Sequence, residues 1–286
     1  MSGDDWPGEA DSALLDHALR SMQVVTLLCT LQRHEQGYRM AERTLADYNF
    51  IYVTRGRVVW VVAGREHALT AGDLVLVPPG VPHHAYGVTQ AVTIGSLHVL
   101  ATLPGGQDVF ALLGAPRRMR FRPQSRFDRY FRGFIAEFAR SGRSPREPML
   151  PGWAHLITRE LFLDAFRRGE LTPRTRDPLI AELLVQLEQG IGSELTLGDL
   201  ARCSGFSAQH LNRLFNRTLG TTPLRYLAQW RLERAAALLH EGRLTIGEIS
   251  RKVGFRDPDY FSRQFSREYG RSPATYRLQG GSELQA

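Results

Sequence analysis

Residues 196–226, TLGDLARCSGFSAQHLNRLFNRTLGTTPLRY, can be laid on residues 245–276, TIGEISRKVGFRDPDYFSRQFSREYGRSPATY. One extra residue is allowed after the shared Gly-Phe. Thr196, Gly198, Arg202, Gly205 and Phe206 then meet Thr245, Gly247, Arg251, Gly254 and Phe255. Further on, Arg213, Phe215, Arg217, Gly220, Pro223 and Tyr226 meet Arg263, Phe265, Arg267, Gly270, Pro273 and Tyr276. Chance does not give a match of this density. The duplication keeps polar arginines as well as apolar positions, so more than a core is repeated.

Each copy has the grammar of a helix, a turn and a second helix. Thr196 stands three residues before Asp199, and Thr245 three before Glu248, the spacing of a capping box. Leu197 and Leu200, or Ile246, Ile249 and Val253, face inward on the short helix that follows. Gly205 and Gly254 supply the positive φ that the turn needs. Ser207 caps the next helix of the first copy. In the second copy Asp257 caps and Pro258 takes the first helical position, where its missing N–H costs nothing. These second helices, over 208–219 and 258–269, hide Leu211, Leu214 and Phe215, or Phe261 and Phe265. Their other faces carry Gln209, Asn212, Arg213 and Arg217, or Asp259, Ser262, Arg263 and Arg267. Amide, hydroxyl and guanidinium groups on one exposed helix face suit the major groove of DNA. Residues 223–240 read as one bridging helix, with Leu224, Leu227, Leu232, Ala235, Leu238 and Leu239 as its core. It spans about 27 Å, near the roughly 34 Å of one duplex turn.

The tail resembles the DNA-binding domain of the AraC/XylS family of bacterial transcription regulators. The likeness covers residues 179–278 and is most specific at ISRKVGFRDPDYFSRQFSREYGRSPATYR, residues 249–277. It implies seven helices in two helix-turn-helix units. It also implies base contacts through Gln209, Asn212 and Arg213, and through Asp259, Ser262 and Arg263. Ser207, Arg217 and Arg267 complete the expected interface, the two arginines on phosphate. Pro258 and Asp259 depart from a good reading surface, since proline cannot hydrogen-bond a base and aspartate repels phosphate. The second helix is therefore expected to contribute less to sequence readout, or to read differently.

The first third of the chain reads as β. Residues 24–31, 48–53, 58–62, 74–77 and 93–99 are short runs rich in Val, Ile, Leu and aromatics, separated by Gly and Pro turns. Residues 72–83, GDLVLVPPGVPH, fit G-x5-P-x-G-x2-H and resemble the second cupin motif. They also resemble the sensor half of AraC-like regulators. Gly87 stands where the cupin motif ends in Asn. No HxH pair precedes Gly72, because His34 and His67 are single, so no metal centre and no cofactor are expected. The barrel is expected to hold an organic effector, with Trp60, His83, Tyr86 and His98 as candidate pocket residues. His83 and His84 should point to opposite faces, as neighbours on a strand do. Cys29 and Cys203 read as small apolar fillers.

The middle is helical. Phe127, Tyr130, Phe131, Phe134, Ile135 and Phe138 form one apolar stripe, to be read as core or as a dimer seam. Residues 141–152 break it, and 153–168 form a second helix. Arg117, Arg118, Arg120, Arg122, Arg126, Arg129 and Arg132 face only Asp128 in sequence. A solvated face, a secondary DNA contact and an acidic effector site all remain open for them.

The formal charge is +7 over 286 residues, and Lys252 is the sole lysine. A basic excess makes a polyanion the first partner to test, although one lysine and a modest charge argue against a bulk DNA coater. No run is apolar enough for a membrane span, and 1–20 is no secretory signal. Two distant cysteines build no disulfide framework or CxxC pair, which fits the cytoplasm.

The expected architecture is α+β in two domains. Residues 1–20 are an arm and 21–168 a cupin-like β-barrel with following helices. Residues 169–178 are a linker, 179–279 an all-α double helix-turn-helix domain, and 280–286 a tail. The expected function is a sequence-specific transcription regulator, an activator by family, under a small-molecule effector. A homodimer and, for an activator, RNA polymerase are the implied partners. The alternatives are an effector-independent regulator whose barrel only dimerises, packed solid by Trp60, Phe50 and Tyr52, and a cupin metalloenzyme fused to a DNA-binding tail.

Overall fold

A computed structural model describes residues 9–87, 89, 91–140, 150–175 and 177–283. Residues 1–8 of the arm, most of the expected break at 141–152, and 284–286 of the tail lie outside them. The chain divides into two compact units. One contains Met22–Thr102 and Asp108–Arg174. The other contains helix α1 (Glu9–Ser21), the loop Leu103–Gln107 and the chain from Thr175 onward.

The first unit is built on two antiparallel sheets. Strands β1 (Gln23–His34), β3 (Tyr48–Arg55), β6 (Asp73–Val77), β8 (Val92–Thr102) and β9 (Arg118–Arg120) make one, in the order β1-β8-β3-β6-β9. Strands β2 (Arg39–Arg43), β4 (Arg57–Val62), β5 (Arg65–Thr70) and β7 (His83–Gly87) make the other, in the order β2-β7-β4-β5. The two sheets are not hydrogen-bonded into one closed barrel, which refines the barrel expected from sequence. At the edges β1 pairs with β8 and β2 with β7, and the two do not pair with each other across the turn at Gly37.

Alternation on the strands sorts two sets of side chains. Ile51 and Val53 of β3, Val58, Trp60 and Val62 of β4, and Val75 and Val77 of β6 share one core with Ala85, Val92 and Ile94. Phe50 and Tyr52 face the other way, against Phe110 and against Phe127 and Phe131. They do not fill the space between the sheets. The second face is covered by α2 (Val109–Leu113), α3 (Arg126–Arg140) and α4 (Leu150–Arg167). Phe127, Phe131, Phe134, Ile135 and Phe138 of α3 are buried, so within this chain the stripe is core; Tyr130 is half-buried. Gly95 permits this, since a Cβ there would lie 2.4 Å from the Phe131 ring. Asp128 is buried under the stripe and accepts from Tyr52 Oη at 2.8 Å, Gln124 N–H at 2.9 Å and Arg132 Nε at 2.9 Å. Burial alone would raise its pKa, but these donors outweigh burial and hold it below the usual carboxylate range. Asp73, also buried, lies 3.5 Å from both Arg118 and Arg120. The basic cluster thus meets two buried carboxylates, one of which the sequence did not offer.

The second unit holds seven helices after the linker region: α5 (Pro178–Gln189), α6 (Leu197–Ser204), α7 (Ala208–Leu219), α8 (Pro223–Glu241), α9 (Ile246–Lys252), α10 (Pro258–Tyr269) and α11 (Pro273–Glu283). Both capping boxes form, Thr196 with Asp199 and Thr245 with Glu248. Gly205 has φ +73° and Gly254 φ +86°. A Cβ on Gly254 would also lie 2.5 Å from the Ile191 carbonyl, so two constraints select glycine there.

The duplication recurs in three dimensions. Phe215 meets Tyr226 edge-on at 5.6 Å, and Phe265 meets Tyr276 edge-on at 5.3 Å. Each tyrosine hydroxyl meets a histidine, Tyr226 with His17 at 3.0 Å and Tyr276 with His240 at 3.3 Å. The second histidine comes from α8, the first from α1. The stretch expected as an arm therefore carries a helix. Its Leu14, Leu15, Ala18 and Leu19 are buried. Two expected core residues are not core: Leu224 is exposed on the outer side of α8, and Cys203 is exposed at the end of α6. Cys29 is buried as expected, and burial pushes its thiol up to about 12.

His17 makes the helical unit sensitive to acid. Burial lowers its pKa to about 4, against the opposing pull of Glu188. In the unfolded chain it titrates near the ordinary 6.5, so unfolding takes up a proton between those values. Stability is complete above about pH 6.5 and falls as the pH drops toward 4. We expect a loss on the order of 2 kcal/mol by pH 5, read by denaturant unfolding of the helical signal. His17→Gln should flatten that dependence. An unchanged pH profile in the variant would show that His17 is not its source.

Candidate nucleic-acid interface and ligand chamber

Helices α7 and α10 carry the expected reading residues. Ser207 caps α7 by accepting from the His210 N–H at 3.2 Å. Buried Leu211, Leu214 and Phe215 fix which face of α7 is hidden. Gln209, Arg213 and Arg217 are consequently exposed and Asn212 half-buried. None of the three exposed side chains has an ion-pair partner among the described residues. On α10 the cap is Asp257, which accepts from the Asp259 N–H at 2.9 Å. Phe261 and Phe265 are buried, leaving Asp259, Arg263 and Arg267 exposed and Ser262 half-buried.

The two helices differ in how free their polar groups are. Ser262 Oγ donates to the Pro258 carbonyl at 2.8 Å, which uses its single proton and leaves acceptor capacity. Arg263 lies 3.8 Å from Asp257. Next to the cap, Arg256 pairs with Glu194. The N-terminal turn of α10 is thus more acidic and more internally engaged than that of α7.

Two exposed aromatics escaped the sequence reading. Phe206 stands just before the α7 cap, stacked on His210 at 4.9 Å, and Tyr260 stands in the first turn of α10. Both are nearly half exposed. The signal available was their position off the buried stripe of each helix. An apolar side chain at a reading-helix N-terminus can contact a thymine methyl or the sugar backbone.

The first unit contains a cavity of about 340 Å³ between its sheets. Leu28, Thr30, Gln32 and His34 line it from β1, following a bulge between Thr26 and Leu28 that sets which side chains turn inward. Arg39, Met40 and Arg43 of β2 and Ile94, Ser96 and His98 of β8 also line it, with Tyr38, Ile51 and Trp60. The chamber therefore has an apolar inner end and a cationic rim.

The four residues expected here divide. Trp60 and His98 line the chamber. His98 Nδ1 lies 3.0 Å from Asp47, which orients the ring. His83 is fully buried just behind the lining, its ring 6.3 Å from Trp60 and its Nε2 3.3 Å from Arg43 Nε. Burial lowers its pKa, which favours the neutral ring. Tyr86 is on the opposite face of β7, where its hydroxyl donates to Glu66 at 2.9 Å. Strand alternation separates it from His83, so it does not belong to the chamber. His84 also turns away from His83, as expected, to within 3.5 Å of Glu42. Sequence reasoning missed Arg39 and Arg43. Among the described residues no group of three or more His, Cys, Asp or Glu is placed to hold a metal ion. No helix there is long and apolar enough to cross a membrane.

Comparisons with known proteins agree with both halves. Residues 200–279 match a helix-turn-helix domain family, and residues 26–147 match an AraC-like ligand binding domain family. The chain is 29% identical over 251 residues to the HTH-type transcriptional activator RhaR of Cronobacter sakazakii, covering 85% of this chain and 88% of that one. It is 23% identical over 263 residues to the HTH-type transcriptional regulator YisR of Bacillus subtilis, covering 85% and 90%. The tail alone is 35% identical over 118 residues to the HTH-type transcriptional regulator GlxA of Rhizobium meliloti, covering 41% and 36%. Two capped helix-turn-helix copies and a two-sheet unit, together with these matches along both, place the chain among the AraC-type transcription regulators.

Proposed function

We propose that this chain regulates transcription from a promoter by placing α7 and α10 in two successive stretches of major groove. The observation that carries this reading is the repeated geometry. Each helix has its own cap, the same buried face and an exposed face of polar and guanidinium groups, amide-bearing on α7 and carboxylate-bearing on α10. Helix α8 between them has 19 residues, about 28 Å of rise. Gln209, Asn212 and Arg213 read bases, and Arg217 and Arg267 hold phosphate. Asp259, Ser262 and Arg263 contribute a weaker or different readout, because Asp257 and Asp259 repel phosphate at that helix start.

Control comes from a small molecule in the chamber, which shifts the protein toward its DNA-competent state. The open space supports this over a barrel that only dimerises: Phe50 and Tyr52 face the helices, and Trp60 lines the cavity without filling it. Activation is the favoured sign, since the relatives include named activators, and RNA polymerase is then a partner. The protein works in the cytoplasm as a homodimer. Exposed Val25, Leu27 and Leu31 on edge strand β1 are the candidate seam. It is a regulator and no enzyme, a reading that its relatives support.

The test is binding of the full chain to its own upstream DNA against a scrambled duplex, followed by fluorescence anisotropy over a salt series. The reading requires a preference for the upstream region that survives physiological salt. Equal affinities that fall together with salt would reduce the interaction to bare electrostatics.

A further inference from the structure

We propose that the chamber takes a small organic monocarboxylate with an apolar body, gripped by Arg43. This rests on the reading of the chamber as the effector site. Its inner end is apolar, with Ile51, Ile94 and Trp60 almost fully buried. Its rim carries Arg39 and Arg43, both exposed. No Asp or Glu lines it, and among the described residues neither arginine has a carboxylate within ion-pair distance. Asp47, the acid beside it, is engaged with His98. Two uncompensated guanidinium groups at the mouth of an apolar cavity favour an anion.

Arg43 is also oriented. Its Nε lies 3.3 Å from His83 Nε2, and His83 Nδ1 lies 3.1 Å from the Val81 carbonyl. Only one tautomer satisfies both contacts: Nδ1–H donates to the carbonyl and Nε2 accepts from the arginine. With Nε used, the two terminal NH₂ groups of Arg43 remain for a carboxylate, which accepts from an arginine fork better than any neutral group. Trp60 leans on the same His83, so ring and guanidinium share one support. The Trp60 indole N–H is buried without a hydrogen-bond partner among the described residues. A buried donor in that condition points to an acceptor that arrives with the ligand. The volume, about 340 Å³, is near the low end for ligand pockets, which keeps the ligand small. A neutral polyol would answer neither guanidinium charge.

The experiment titrates the full chain with butyrate, hexanoate, benzoate and phenylacetate, each beside its neutral amide, and with glucose, by calorimetry. At least one acid should bind saturably, and its amide about tenfold or more weakly. Arg43→Gln should weaken that acid about ten- to a hundredfold, and Arg43→Lys should restore part of the loss. Circular dichroism of the variants separates lost binding from lost folding. Failure of all four acids, an amide that binds as well as its acid, or an indifferent Arg43→Gln would overturn the proposal. Glucose bound in a Trp60-dependent way would overturn the carboxylate class and keep the chamber as an effector site. An acid that binds through Arg43 but leaves DNA affinity unchanged would keep the carboxylate and overturn the effector role.

Discussion

Phe265→Ala is expected to cost the helical unit about 3–5 kcal/mol. The ring is fully buried among Phe261, Tyr269 and Tyr276, at 5.7, 4.5 and 5.3 Å between centroids. It packs in one core with Leu232, Leu238 and Leu239 of α8, with Ile249 of α9 and with Val253 at the end of that helix. Truncation loses the transfer energy of the ring and leaves a cavity that aromatic neighbours on three sides cannot close. Whole domains are stable by only about 5–15 kcal/mol, so this one change removes much of what holds α10 in place. Denaturant unfolding of the helical signal gives the number, and DNA binding gives the consequence, with protection by the second reading helix lost first. Phe265→Leu keeps most of the volume and should cost much less. A loss under about 1 kcal/mol for the alanine variant would mean that α10 is not anchored through this ring.

Arg213→Ala is expected to weaken binding to the cognate site by about 1–3 kcal/mol and to relax the requirement at one base position. Arg213 is exposed on α7, beyond the buried Leu211, Leu214 and Phe215 and unpaired by any described carboxylate. A guanidinium so placed is free for the paired acceptors of a guanine edge. Arg217 and Arg267, one turn further along their helices, should behave differently. Their alanine variants should weaken binding to every sequence alike and lower the salt slope by about one. Selection of preferred sites from random DNA by each variant separates the two behaviours. If Arg213→Ala lowered affinity evenly across all sequences, Arg213 would be a phosphate contact and the base-reading assignment would move to Gln209 and Asn212.

The helical unit was far more legible in the sequence than the chamber, for a physical reason. Helices α7 and α10 run over 208–219 and 258–269 as read, because each is bounded by local chemistry: a Ser or Asp cap, a proline at the first position of α10, and Gly220 or Gly270 at the end with φ near +70°. Such signals act within four or five residues. The strands read from sequence were those with apolar runs: β3, β4, β6 and β8, which are mostly buried, and β1, whose Val25, Leu27 and Leu31 are exposed. Strands β2, RMAER, and β9, RMR, have mostly exposed side chains and lie at sheet edges, so they show neither an apolar run nor clear alternation. Arg39 and Arg43 were missed with β2, and the cationic rim with them. The partners of α1 were hidden for another reason. Its apolar face and His17 meet α5 and α8, about two hundred residues away, and nothing local in 9–21 announces which surface it covers. Tyr86 shows the reverse case, a plausible aromatic beside His83 that the two-residue period of β7 turns to the other face.

In the proposed mode of regulation one chain reads two grooves. The direct measurement is a hydroxyl-radical footprint of the full protein on its own upstream DNA across a salt series, repeated with Arg213→Ala and Arg263→Ala. Two protected patches per bound chain, about one helical turn apart and persisting at physiological salt, are the predicted result. Arg213→Ala should thin one patch and Arg263→Ala the other, less severely. A single patch, or even protection that fades with salt and ignores both variants, would contradict the account.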